Sequence, residues 1–156
     1  MSGATSAVRA RRPKAGTEEK RLAELERALG VSFKERALLR EAMVHRSFVN
    51  EHPQEGLVSY DRLEYLGDAF LGWAVARELF RRSPAWREGE LTRARAALVQ
   101  GSTLAECARA LGLGAHLLLG GGEERSGGRT RPSNLAGALE AVIGAVVIDR
   151  GQVAAR

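Results

Sequence analysis

A chain of 156 residues with 44% hydrophobic and 28% charged residues has the composition of one globular domain, which excludes a disordered chain and a disulfide-dense mini-protein. Four basic residues within positions 1–16 supply most of the net charge of +5, so net charge alone does not predict a nucleic-acid-binding face. The single cysteine, Cys107, excludes an intrachain disulfide and indicates a cytoplasmic protein. The apolar runs are shorter than the roughly 20 residues of a membrane span, so we expect no membrane partner.

The beginning of the chain differs in composition from the rest. Residues 1–16 are small, polar and basic without periodicity, which predicts a flexible basic arm. Residues 17–156 carry the helical patterns and are predicted to form the folded domain. Its first helix is predicted to begin at Thr17 and to end at Gly30, a common helix stop signal.

The next elements are predicted from capping and breaking residues. Ser32 and Glu35 have the spacing of a capping box and predict a second helix. Residues 45–56 contain His, Pro and Gly and are predicted to form a loop. A long helix then follows, with Ser59 as its N-cap and an end at about Arg82, before a proline.

Further helical patterns follow the long helix, over residues 91–99, 103–111 and 132–148. Thr103 and Glu106 predict a second capping box. Strand-type alternation is nearly absent, so the predicted fold class is all-α. The glycine-rich residues 120–128 lack the Lys-Ser or Lys-Thr pair of a nucleotide-binding loop, and we expect a flexible surface connection there.

Three acids lie on the predicted long helix. Asp61, Glu64 and Asp68 are spaced so that their carboxylates share one face. Apolar residues surround Asp68 in sequence, which predicts a helix that is buried almost all round. Because neighbouring buried carboxylates repel each other, a divalent cation such as Mg²⁺ would stabilise them. The alternative is that Arg62, Arg77 or arginines of another helix form ion pairs with Glu64 and Asp68.

A further acid, Glu140, lies in the apolar last helix. Gly137 and Gly144 lie near the same stripe of that helix and permit close packing of another helix. Two helices with acids on otherwise apolar faces predict the two halves of one metal site. Two unrelated buried ion pairs are the alternative, and the sequence alone leaves both open.

The segment YDRLEYLGDA at residues 60–69 resembles the ribonuclease III signature (N/Y)-E-R-L-E-(F/Y)-L-G-D-A almost throughout. Other segments are similar to family segments in the same order, namely residues 44–47, 88–92, 103–106, 119–123 and 135–141. The resemblance implies an all-α ribonuclease III endonuclease-like domain. Bacterial members of the family usually carry a further double-stranded-RNA-binding domain, so we expect that this chain is truncated at its C-terminal end.

The resemblance also implies a metal-dependent endonuclease that hydrolyses phosphodiester bonds of double-stranded RNA in RNA processing, including rRNA processing. Glu64, Asp68 and Glu140 match metal-binding positions of the family, with Asp68 and Glu140 catalytic. Mg²⁺ is the implied cofactor, and Mn²⁺ is expected to substitute for it. Asp61, where the family usually has Glu, and Glu88 match auxiliary acids.

The implied partners are a second copy of the chain and duplex RNA. Tyr65 matches an aromatic residue that the family inserts across a homodimer interface. Arg125, Arg129 and Arg131 are candidate contacts to the RNA backbone, because guanidinium groups bind phosphates without reading sequence.

Gly137 departs from the family pattern, which usually has a metal-binding Asp at this position. The missing carboxylate predicts a metal centre with one ligand fewer and reduced or lost activity. The alternative function is therefore a non-catalytic dimer that binds RNA or belongs to a ribonucleoprotein. A generic helical metal phosphohydrolase is a third hypothesis, which the absence of a His-Asp pair makes weaker.

Overall fold

The computed structural model describes residues 15–155, and helices form most of this part of the chain. Its α-helices are α1 Ala15–Leu29, α2 Arg36–Glu41, α3 Arg46–Glu51, α4 Asp61–Arg82, α5 Glu88–Leu98, α6 Gly101–Ala110, α7 Gly121–Arg125 and α8 Pro132–Arg150. Short 3-10 helices cover Pro53–Glu55, Leu113–His116 and Gly128–Thr130. No β-strand occurs within residues 15–155, so the all-α prediction is confirmed.

The predicted basic arm, residues 1–16, lies outside the described residues except for its last two. Ala15 and Gly16 belong to the first turn of α1, so the helix begins earlier than the predicted Thr17. The end of α1 at Leu29, immediately before Gly30, is as predicted. Gly30 has a positive φ of 68°, the left-handed conformation that a glycine adopts without strain at the end of a helix.

The apolar helix α8 is the centre of the fold. It packs against α4, α6 and α2, and these contacts bury most of its residues. By length and composition α8 is apolar enough to cross a membrane, but its burial is that of a core helix in a folded domain. The fully buried side chains of this core include Leu135 of α8 and, from other parts of the chain, Leu25, Leu39, Leu113, Leu117 and Leu119.

Helix α4 contacts α8 along one side only, so the prediction that it is buried almost all round was wrong. Its buried residues are Leu63, Gly67 and Phe70. On other sides of the helix, Tyr65 is 79% exposed and Phe80 is 74% exposed. The apolar sequence of α4 therefore leaves a large apolar surface open to solvent in the single chain.

Both predicted capping boxes were wrong. Helix α2 begins at Arg36, and the carboxylate of Asp149 accepts the backbone N–H groups of Lys34 and Glu35, at 2.8 Å each. The cap therefore comes from the end of α8 rather than from Ser32. Helix α6 begins at Gly101, so Thr103 lies inside it, and its hydroxyl donates to a carbonyl of the preceding helix.

Two segments that were predicted to be loops are ordered by contacts distant in sequence. Residues 45–56 contain α3, and the segment over 120–128 contains α7. The carboxylate of Glu51 accepts the backbone N–H groups of Gly121 and Gly122 at 2.7 and 3.2 Å, and the Ser47 hydroxyl accepts that of Gly120 at 2.9 Å. The prediction of a flexible surface connection over 120–128 was therefore wrong.

Candidate active site

Helices α4 and α8 approach each other backbone to backbone at two glycines. A methyl group on Gly67 would overlap the carbonyl oxygen of Glu140, and one on Gly144 would overlap the carbonyl oxygen of Leu63. Both glycines are buried. No larger residue fits at Gly67 or Gly144. This close crossing fixes the position of Glu64 and Asp68 on α4 relative to Glu140 on α8.

The three acids at the crossing influence each other's ionisation. Burial, followed by the negative charges of Asp68 and Glu64, raises the pKa of Glu140 to about 7. The pKa of Glu64 is also raised, first by burial and then by Asp61, with a smaller contribution from Asp68. Glu64 and Glu140 are partly buried, whereas Asp68 is exposed. Three like charges therefore lie at the crossing, with Asp68 on its solvent side.

Arginine ion pairs do not compensate this charge. Within residues 15–155, the carboxylates of Glu64, Asp68 and Glu140 have no hydrogen-bond or ion-pair partner. The alternative interpretation, in which Arg62, Arg77 or arginines of another helix form ion pairs with Glu64 and Asp68, was therefore wrong. Uncompensated carboxylates in partial burial are costly, and this is the kind of site where divalent cations bind.

The donor chemistry fits a hard divalent cation, which prefers oxygen ligands. In the described part of the chain, however, no group of three or more Asp, Glu, His or Cys side chains lies close enough to hold one ion. The carboxylate of Glu64 lies against α8, where a Cβ on Gly137 would be 2.9 Å from its Oε1. Convergence of three carboxylates on one ion would require side-chain rotation at this crossing.

The two auxiliary acids occupy different places. Asp61 lies at the start of α4, and its Oδ1 is 3.4 Å from the Arg46 guanidinium. Arg46 is also the cation that lowers the pKa of Glu64, a role that sequence reasoning missed. Glu88 begins the exposed helix α5 and accepts the Thr92 hydroxyl at 2.7 Å. The charges that shift the pKa values of Glu64 and Glu140 do not include Glu88.

The three candidate RNA-binding arginines differ in their contacts within the protein. The Arg129 guanidinium donates to the carbonyls of Gly114 and Leu117, at 3.0 and 2.8 Å, and pairs with the carboxylate of Glu124 at 2.6 Å. The Arg131 guanidinium pairs with the carboxylate of Glu123 at 2.5 Å. Arg125 is exposed at the end of α7. Contact of these three residues with RNA stays a prediction.

Sequence reasoning also missed Gly67 as the contact partner of Gly144. A glycine in the interior of a long helix lowers the stability of that helix, so its presence indicates a close approach by another backbone. That signal was available in the sequence. The partner of Gly67 was not, because it depends on how α4 and α8 are rotated about their axes.

Comparisons with known proteins place this geometry in a family. Residues 35–156 match the family model for ribonuclease-III-like proteins. Ribonuclease 3 of Heliobacterium modesticaldum is 54% identical over 134 residues, which are 86% of this chain and 57% of that protein. Ribonuclease 3 of Geobacter metallireducens is 54% identical over 129 residues, which are 82% of this chain and 52% of that protein. The chain thus spans little more than half the length of these relatives.

Solved structures of ribonuclease III nuclease domains are also similar to this chain. The nuclease domain of ribonuclease III from Campylobacter jejuni, described as structurally flexible in a region involved in dimer formation, superimposes with a TM-score of 0.80 at 39% identity. The match covers 86% of this chain and 90% of that one. A crystal structure of the same nuclease domain gives a TM-score of 0.78, also at 39% identity, over 85% of this chain and 86% of that one. The chain therefore belongs to the ribonuclease III-like family.

Proposed function

We propose that the chain is the nuclease part of a metal-dependent endoribonuclease that hydrolyses double-stranded RNA in cytoplasmic RNA processing, including rRNA processing. One observation carries the proposal. Glu64, Asp68 and Glu140 flank the crossing of α4 and α8, and within the described residues none of their carboxylates has a hydrogen-bond or ion-pair partner. The relatives named ribonuclease 3 support the same activity.

Glu64, Asp68 and Glu140 would hold Mg²⁺, or Mn²⁺ in its place. When bound, the ion supplies a water of lowered pKa and offsets negative charge on the scissile phosphate. Glu140, with its pKa raised to about 7, is partly protonated at neutral pH and must release that proton to serve as a ligand. Asp68 is exposed and therefore lies on the side from which a phosphate approaches.

The remaining site residues are proposed to orient the metal-binding acids or to bind the RNA backbone. Asp61 and Arg46 form an ion pair beside Glu64 and keep a cation next to that carboxylate. Glu88 is proposed as an auxiliary acid, although in the single chain its charge does not act on Glu64 or Glu140. Arg125, Arg129 and Arg131 are the proposed contacts to the phosphates of duplex RNA, which is read through its backbone and shape.

The functional unit is proposed to be a homodimer with one acid site in each protomer. The exposed apolar side of α4, which includes Tyr65, provides a surface for the second copy. The Campylobacter jejuni nuclease domain has a region involved in dimer formation, which supports this assembly.

The test is to incubate long duplex RNA with the protein, in Mg²⁺ and in excess chelator, and to size the products. Asp68→Asn and Glu140→Gln should each lower the cleavage rate by at least about 10–100-fold, the loss typical of impaired metal binding. Glu106→Gln, an exposed acid on α6, is the matched control and should cleave like the parent. Cleavage that persists in chelator, or that survives both site substitutions, would contradict the proposal.

A second candidate is a non-catalytic dimer that binds structured RNA. Two observations favour it: position 137 supplies no carboxylate, and no three acids in residues 15–155 converge on one point. Duplex RNA that is bound and shifted on a gel, but not cut at any Mg²⁺ or Mn²⁺ concentration, would support this function over the nuclease.

A further inference from the structure

The space beside Gly137 is filled by the end of one side chain. A Cβ at this position would lie 2.9 Å from Oε1 of Glu64, 3.1 Å from its Cδ and 3.4 Å from its Oε2. These three nearest atoms all belong to the same carboxylate. Glu64 therefore reaches from α4 to the backbone of α8 and lays its carboxylate against Gly137.

Gly137 differs in this respect from the two glycines at the helix crossing. Substituents on Gly67 and Gly144 would meet backbone atoms of the opposite helix, which cannot move without separating the helices. The three atoms nearest to a substituent on Gly137 belong to the end of a flexible side chain, which can rotate away. The close approach of α4 and α8 therefore does not require glycine at position 137, whereas the observed position of the Glu64 carboxylate does.

Position 137 also lies one helical turn before Glu140, on the same face of α8. A carboxylate resting on Gly137 therefore lies on the face of α8 that carries Glu140, and the charge of Glu64, after burial and the charge of Asp68, contributes to the raised pKa of Glu140. Glu64 thus reaches from α4 and places a carboxylate at position 137 of α8, where the chain itself has glycine instead of an acid.

We propose that Gly137 is a positioning residue that allows Glu64 to lie on α8 beside Glu140, and that it thereby sets the affinity of the acid site for a divalent cation. The inference rests on the metal centre of the proposed function. It assigns Gly137 no contact with the ion, and its effect is transmitted entirely through Glu64.

The test is a calorimetric titration of Mn²⁺ into the parent chain, Gly137→Ala, Glu64→Gln and the double variant. The methyl group of Gly137→Ala should displace the Glu64 carboxylate and weaken Mn²⁺ binding about tenfold, a typical effect of disturbing the residue that orients a ligand. Its melting temperature in chelator should not fall, because alanine favours the helix and no backbone must move. Gly101→Ala, a helical glycine with open space around it, is the control and should bind Mn²⁺ like the parent.

The double variant separates a positioning role from a structural one. If Gly137 acts through Glu64, then Gly137→Ala should cause no further loss of affinity in the Glu64→Gln background. Additive losses, an unchanged affinity in Gly137→Ala, a marked fall of its melting temperature, or no Mn²⁺ binding by the parent would each overturn the inference. Cleavage of duplex RNA is measured on the same samples. A parent that binds Mn²⁺ without cutting contradicts the proposed nuclease, while the ratio of affinities still decides the role of Gly137.

Discussion

The carboxyl group of Glu140 lies partly buried on α8, close enough to Asp68 and Glu64 for their charges to act on it. Burial, followed by those two charges, raises its pKa from the ordinary 4.5 to about 7. Between these two pH values the folded protein holds a proton that the unfolded chain has released. Folding stability therefore falls as the pH rises through this window, and the full cost is present above pH 7.

Replacing Glu140 with glutamine should remove this pH dependence from the metal-free protein. In chelator at pH 8 we expect Glu140→Gln to be more stable than the parent by about 1–2 kcal/mol, after allowance for the partial exposure of the group to solvent. The difference should vanish below about pH 4.5, where the parent carboxyl is protonated in both states. Urea denaturation across this pH range measures the difference in the free energy of unfolding. A difference that does not change with pH would contradict the raised pKa of Glu140.

The acids themselves could be predicted from the sequence, and their detailed contacts could not. Helical spacing and the signature segment identified Glu64, Asp68 and Glu140 as candidates. The contact between Glu64 and Gly137 depends on the rotation of α8 about its axis, which follows from packing against several helices at once. The pairing of Arg46 with Asp61 likewise joins α3 to α4, and local sequence carries no signal for it.

At the scale of elements, the crossing of α4 and α8 determines where the acid site forms. Gly67 and Gly144 let the two backbones touch, and the acids flank the point of contact. The long helices α4 and α8 were predicted well because each contains a long, largely apolar stretch and has a proline at one end. The short helix α7 was missed, because its order depends on contacts from Ser47 and Glu51, about 70 residues earlier in the chain.

Gly67→Ala should separate α4 from α8. Its methyl group would overlap the Glu140 carbonyl oxygen, so the helices must move apart, and we expect a loss of stability of about 3 kcal/mol or more. Gly101→Ala adds the same methyl group where nothing lies within 4 Å and should not destabilise the protein. Thermal unfolding in chelator compares the two, and a Gly67→Ala variant as stable as the parent would contradict the close crossing.

At the scale of the whole molecule, α4 has one side in the core and apolar side chains exposed on other sides. Tyr65, Trp73 and Phe80 are large exposed side chains along this helix, and Leu98 on α5 is exposed as well. Exposed apolar surface of this kind is typical of a site of association. The same helix that carries Glu64 and Asp68 therefore also offers the surface for the proposed dimer.

Tyr65→Glu should convert the proposed dimer to monomers. The charge would be buried without a partner at the interface, and we expect association to weaken by about 2 kcal/mol or more, roughly thirtyfold. Val58→Glu, an exposed apolar residue outside α4, is the matched control and should leave the dimer intact. Light scattering at micromolar concentration reports the mass, and a parent chain that is monomeric under these conditions would refute the homodimer.

The proposed nuclease requires that acids from α4 and α8 form one metal centre. Anomalous diffraction from a crystal of the protein soaked in Mn²⁺ shows whether an ion binds there. We predict a peak at the crossing of α4 and α8, with carboxylate oxygens of Glu64, Asp68 and Glu140 at about 2.1 Å, close to the distances of Mg²⁺ sites. An empty crossing at saturating Mn²⁺, with the three carboxylates still apart, would contradict it.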